Sequence, residues 1–74
     1  MAVQMTFVKH SAIKQYFTAD HNGINYIVKK SMFGWHATFG DPEGILRYEP
    51  VDQLLYDNRG QAEYACNLHA NGGL

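Results

Sequence analysis

Cysteine is almost missing from this chain: Cys66 stands alone among 74 residues. One thiol cannot close an internal disulfide, and small secreted domains usually depend on several. The expected location is therefore the reducing cytoplasm. Long apolar runs are missing too. None approaches the ~18 residues that cross a bilayer, so no membrane partner is expected. The opening "MAVQMTFVKH" has neither the basic start nor the apolar core of a signal peptide.

Charge of one sign is nowhere concentrated. The formal net charge is −1, and Lys9, Lys14, Lys29, Lys30, Arg47 and Arg59 are scattered, with only Lys29 and Lys30 adjacent. Nucleic-acid binding draws most of its affinity from clustered Lys and Arg, and one pair is not a patch. The acids are equally dispersed, which argues against an acidic face that mimics DNA. Neither G-x-G-x-x-G nor a P-loop pattern occurs, so no phosphate cradle is expected. Repeats, low-complexity tracts and linkers are also missing, and residues 1–74 read as one domain. A domain of this size hides only about 60% of its unfolded surface, so its stability margin is thin.

What the chain does have is aromatic residues, 14% of the total: five Tyr, four Phe and one Trp. Aromatics fill small cores and also anchor interfaces. They sit within strand-like patterns over the first two thirds. "VQMTFVK" (3–9) alternates Val3, Met5 and Phe7 against Gln4 and Thr6, the period of a half-buried strand. "AIKQYFTA" (12–19) sets Ile13, Phe17 and Ala19 against Lys14, Tyr16 and Thr18. Asn22-Gly23 then lies between two β-rich runs, a strong hairpin signal, because both central residues of such a turn need positive φ. "INYIVKK" (24–30) places Ile24, Tyr26 and Val28 together, and after Gly34, "WHATF" groups Trp35, Ala37 and Phe39. "GDPEG" (40–44) is a turn by composition. "ILRYE" (45–49) predicts a further strand that Pro50 ends or confines to an edge. "VDQLLY" suits either a strand end or a short helical turn.

A helix closes the chain. Asp57 or Asn58 supplies the N-cap and "NGG" (71–73) the stop. At about 100° per residue, Tyr64, Gln61, Leu68, Ala65, Ala62, His69 and Cys66 sweep one broad arc. Its small residues suit close packing on a sheet. Strands followed by one helix predict an α+β fold, an antiparallel sheet of three to five strands with the C-terminal α-helix packed on one face.

Cys66 and His69, three apart on that helix, share a face and invite a metal or catalytic reading. A structural zinc site needs four ligands, usually as two close pairs, and His10, His21 and His36 form no second pair. A two-fold homodimer would be needed to supply it. The helix C-terminus also raises a thiol pKa, which opposes a Cys-His nucleophile. Packing is the expected role of both residues, with no metal and no cofactor. Asp41, Glu43, Glu49, Asp52 and Glu63 read as solvated charges, and no catalytic set is expected. The surplus Tyr is more informative. With Tyr26, Trp35 and Phe39 inside, Tyr16, Ile27, Lys29 and Tyr48 are left for the other sheet face, as anchors for a protein partner. The alternative is a nucleic-acid platform using Lys14, Lys29, Lys30 and Arg47 beside those aromatics.

The stretch from Gly23 to Ala70, about two thirds of the chain, resembles small sheet-plus-helix domains of phage and prophage reading frames. These place Gly-Trp-x-Ala in a strand and close with a helix of the type Ala-x-x-x-Cys-x-x-His. Gly34-Trp35-His36-Ala37 and Ala62, Cys66 and His69 match those patterns. Integrase arm-type and AP2-like DNA-binding domains are similar in layout. In them Arg and Lys on the sheet face meet DNA, whereas here those positions hold Asn25, Ile27, Lys29, His36 and Thr38. By analogy of size and layout, the resemblance implies a phage-type regulator or inhibitor that binds a host protein. The expected function is thus a non-enzymatic protein-binding module with a host or self partner. Nucleic-acid binding through the open sheet face is the second reading.

Overall fold

The computed structural model describes residues 4–41 and 48–73. Five strands and one helix follow in chain order: β1 (Val8–Lys9), β2 (Tyr16–His21), β3 (Ile24–Ser31), β4 (Gly34–Gly40), β5 (Glu49–Pro50) and α1 (Arg59–Ala70). The strands form one antiparallel sheet in sequential order, and α1 packs mainly on β3 and β4. This is the α+β layout that the strand and helix patterns predict.

Local chemistry explains the three long strands. Asn22 and Gly23 both take positive φ (51° and 79°), as the two-residue hairpin requires. The register that follows pairs Phe17 with Val28, and Val28 with Ala37. Directly opposed residues point to the same side, so Ala19, Tyr26, Val28 and Ala37 are buried together under the helix. Phe17, Ile24, Trp35 and Phe39 pack around them.

The helix ends are fastened at both termini. Asn58 is the N-cap, its Oδ1 accepting the Gln61 N–H at 2.9 Å, while Gln61 Oε1 reaches back to the Asp57 N–H at 3.1 Å. At the other end Gly72 adopts φ 79°. The Gly73 N–H donates to the Leu68 carbonyl at 2.7 Å, and that of Gly72 to His69 at 3.1 Å, a Schellman closure. The buried stripe is Ala62, Ala65 and Cys66, and Tyr64 is 65% exposed. The contact face is therefore the Ala65–Ala62–Cys66 side of the helical arc, and Tyr64, at the arc's opposite edge, falls outside it. Small side chains let the helix axis approach the sheet, where a tyrosine ring would hold it off.

Two segments depart from simple strand behaviour. Of "VQMTFVK", Val3 lies outside the described residues; over the rest the alternation holds for side chains, since Met5 is buried and Phe7 packs on the core. Its backbone pairs with β2 only at Val8 and Lys9. Before that it turns to α1, where the Met5 N–H donates to Asn67 Oδ1 at 2.7 Å. Of the expected strand at 45–49, residues 45–47 lie outside the described residues, and pairing occurs at Glu49–Pro50. Pro50 lies within that outer strand, where its missing N–H is tolerated. Beyond it the chain follows β4 through Val51 N–H to Ala37 O (3.0 Å) and a Trp35–Tyr56 bridge. Between the Thr38–Pro50 and Trp35–Tyr56 pairs, β4 advances three residues and the outer chain six. The excess is extruded as a bulge at 52–55.

Gly34 makes the closure of that bulge possible. Its φ is 144°, and a Cβ there would sit 3.2 Å from the Tyr56 carbonyl oxygen, which accepts the Trp35 N–H. Any side chain would both strain the backbone and push this edge outward.

Candidate functional site

Among the described residues, no helix covers the sheet face opposite α1. Its centre is one continuous cross-strand row, Val8–Thr18–Ile27–Thr38–Pro50, each residue directly opposite the next. Toward the β3–β4 turn the next row is Tyr16, Lys29 and His36; on the other side come Asp20, Asn25 and Gly40. Val8 and Pro50 are exposed, whereas Thr18, Ile27 and Thr38 are half-buried by their neighbours. The result is an apolar and hydroxyl-bearing band with aromatic flanks.

Each flank is held by two contacts. Tyr16 meets His10 edge-on, ring centroids 5.4 Å apart, and the His10 N–H donates to the Tyr16 carbonyl at 2.7 Å. Tyr48 lies over Gly40: a Cβ built there would come within 2.8 Å of the ring. Its hydroxyl donates to Asn25 Oδ1 at 2.8 Å. Burial first, then the nearby Tyr16, Asp20 and Asp41, raise its pKa above the ordinary value. Tyr48 is thus held flat at the rim by a glycine and an asparagine, a role not legible in the spacing.

Of the partner-binding candidates, Tyr16, Ile27 and Lys29 stand on this open face, and Tyr48 borders it. The nucleic-acid candidates are dispersed. Lys14 is in the β1–β2 connection, and Lys29 and Lys30, as strand neighbours, point to opposite faces. Arg47 lies outside the described residues. Asp20 places negative charge on the same face as Lys29.

Ser31 and His36 form a second polar knot. Ser31 Oγ is 2.7 Å from His36 Nε2 and accepts the Phe33 N–H at 3.1 Å. A serine–histidine pair resembles a nucleophile with its base, but this hydroxyl also fastens the β3–β4 turn.

Cys66 is fully buried, and burial, with a smaller contribution from Glu63, pushes its thiol up to about 12. A thiol so placed is a poor nucleophile and a poor metal ligand at neutral pH. His69 is turned inward: Nδ1 and the Tyr26 hydroxyl share a 2.8 Å hydrogen bond, and its ring stacks on Phe39 at 4.2 Å. Tyr26 in turn has its pKa raised by burial and by Cys66. Among the described residues, no group of three or more His, Cys, Asp or Glu side chains could hold a metal ion. An open trough of about 340 Å³ runs between the 52–55 bulge and α1, bordered by Asp52, Gln61, Tyr64 and Leu68. That volume is at the small end of ligand sites.

No protein-family model, curated protein or solved structure matches this chain. No helix among the described residues is long and apolar enough to cross a membrane.

Proposed function

We propose that this chain is a non-enzymatic protein-binding module whose contact surface is the sheet face away from α1. In biological terms the reading is a regulator or inhibitor of a host protein complex, of the phage or prophage type, acting in the cytoplasm. The observation that carries it is the row Val8–Thr18–Ile27–Thr38–Pro50, which no described helix covers, with Tyr16 and Tyr48 at its margins. Apolar and aromatic side chains in that arrangement form a small buried centre once a partner excludes water.

The edges favour a face over an edge as the contact. Both outer strands are two residues long, and one contains Pro50, which blunts strand addition from either side. A second copy pairing face to face would be the self-partner form of the same reading.

The test is affinity capture from bacterial lysate with tagged full-length chain, comparing wild type with Ile27→Glu and with Tyr16→Ala/Tyr48→Ala. Expected is a stoichiometric partner held by wild type and lost by both variants. Capture of nothing that depends on these residues would overturn the proposal. Sedimentation velocity of the same proteins reads the self-partner form. For nucleic acid, the support is limited to Lys29, Lys14 and the aromatic flanks, and gel shifts at low salt decide it, because that affinity falls steeply with salt.

A further inference from the structure

Among the described residues, the three large apolar side chains most exposed to water, Met32, Phe33 and Leu54, are not on the sheet face. They gather at one end of the sheet, where the β1–β2 connection, the β3–β4 turn and the bulge come together. Met32 and Phe33 form the two-residue tip of that turn and are 89% and 76% exposed; Leu54 in the bulge is 73% exposed. Leu55 lies against Gly34, directly behind the tip, and Ile13 is exposed in the connection. The Lys30 N–H donates to the Gln15 carbonyl at 3.1 Å, which fixes that connection to the same end.

Charge is sorted along the same axis. All five described Lys and Arg residues lie on the tip-ward side of the central row. Lys9 is opposite Phe17, Lys29 opposite His36, Lys30 opposite Trp35, Lys14 is in the connection, and Arg59 is over the Phe17 ring. Asp20, Asp41 and Glu49 lie on the far side. Arg59 is paired with Glu63 at 3.0 Å, which leaves Lys9, Lys14, Lys29 and Lys30 on the tip-ward side, the last three nearest the tip. Asp52 and Asp57 are the acids of this end, on the helix-side segment.

We infer that this end docks on an anionic lipid surface, with Met32 and Phe33 entering the boundary between headgroups and acyl chains, assisted by Leu54. The layering is what identifies the ligand. Lys30 sits two residues behind Met32, roughly 7 Å at strand rise, so apolar groups lead and ammonium groups follow at headgroup depth. The apolar side chains project from a narrow turn and do not line a groove, which suits a deformable interface better than a protein pocket. Such a contact lies on the bilayer and needs no spanning segment; its apolar tip is distinct from the sheet-face row proposed above, and the two borders share Lys29.

The test is co-flotation of the full chain with phosphatidylcholine vesicles, with and without phosphatidylserine, at low and high salt. Expected is binding to the serine-lipid vesicles that high salt releases. Met32→Ser/Phe33→Ser should weaken it at least about tenfold, as loss of two apolar groups from the interface implies. Lys14→Gln, Lys29→Gln and Lys30→Gln should each weaken it about fivefold. All these positions are exposed, and an unchanged thermal melt confirms that the variants fold. Absence of binding to anionic vesicles at low salt overturns the inference. So does binding that Met32→Ser/Phe33→Ser leaves intact, which would be charge attraction without insertion. Self-association of the wild type that the same double variant abolishes, without vesicle binding, would assign the tip to a second copy and overturn it as well.

Discussion

Ile27 and Val28 are neighbours in β3, both β-branched, both flanked by cross-strand partners, and their surroundings differ completely. Val28 is fully buried between Phe17 and Ala37 beneath the small residues of α1. Ile27, between Thr18 and Thr38, is half-covered by a polar neighbourhood, and no described helix lies over it. One face of the sheet is the core of the domain; the other is a surface built with the same backbone. A residue's contribution here is decided by which side of the pleat it takes, and only secondarily by its own hydrophobicity.

Substitutions that separate the faces test this most directly. Val28→Ala should destabilise the domain by about 2 to 3 kcal/mol, since it opens a cavity that the surrounding strands cannot close. Ile27→Ala should cost less than about 1 kcal/mol. Urea unfolding compares the two, and equal losses would break the distinction between core face and free face. Gly34→Ala, with positive φ and the Tyr56 carbonyl in the way, should cost about 1 to 3 kcal/mol, read in the same assay.

A pH series sharpens the contrast from the covered side. The Cys66 thiol is neutral in the fold and its pKa is raised from 9.0 to about 12. A raised pKa means that the unfolded chain loses its proton first. The stabilisation is therefore complete below about pH 9 and is lost as pH rises toward about 12. Tyr26 and Tyr56, also raised by burial, act in the same direction. By about pH 10 the thiol's share of the loss should be about 1 kcal/mol. Cys66→Ala should flatten that slope in urea midpoints taken between neutral and alkaline pH. At neutral pH, Cys66 should resist thiol reagents until the domain opens.

Smaller effects come from the ends of elements. Asn58→Ala removes the acceptor for the Gln61 N–H and should lower stability by about 1 kcal/mol, seen as a lower melting temperature. Gln15 carries φ 51° without being glycine. Gln15→Gly should relieve that strain and raise stability by a few tenths of a kcal/mol, about the residual after glycine's entropy cost.

Much of this fold was legible in local chemistry. Asn22-Gly23 dictates a turn, the alternation in 24–30 and 35–39 assigns core and surface, and Asn58 with Gly72-Gly73 brackets the helix. Placement of Tyr16, Ile27 and Lys29 on the open face follows from period two alone. The illegible parts depend on contacts distant in sequence. Met5 and Phe7 keep their alternation while their backbone leaves β2 for Asn67, 62 residues away from Met5. Leu54 and Leu55 look like core residues, yet the register of the outer chain on β4 expels them. The adjacency of Lys29 and Lys30 suggests a basic pair, and the pleat divides it.

Composition, periodicity and turn residues are thus sufficient for the element types, the single helix and the division of each long strand into two faces, because φ/ψ preferences and side-chain alternation act over a few residues. Tertiary structure alone decided that the Ala62–Cys66 stripe, and not Tyr64, meets the sheet. It also set the half-buried His69 against Tyr26 and Phe39 and gathered Met32, Phe33 and Leu54 at one basic end. Those outcomes depend on how closely two layers approach and on which register leaves fewest backbone groups unpaired, and both are sums over the whole molecule.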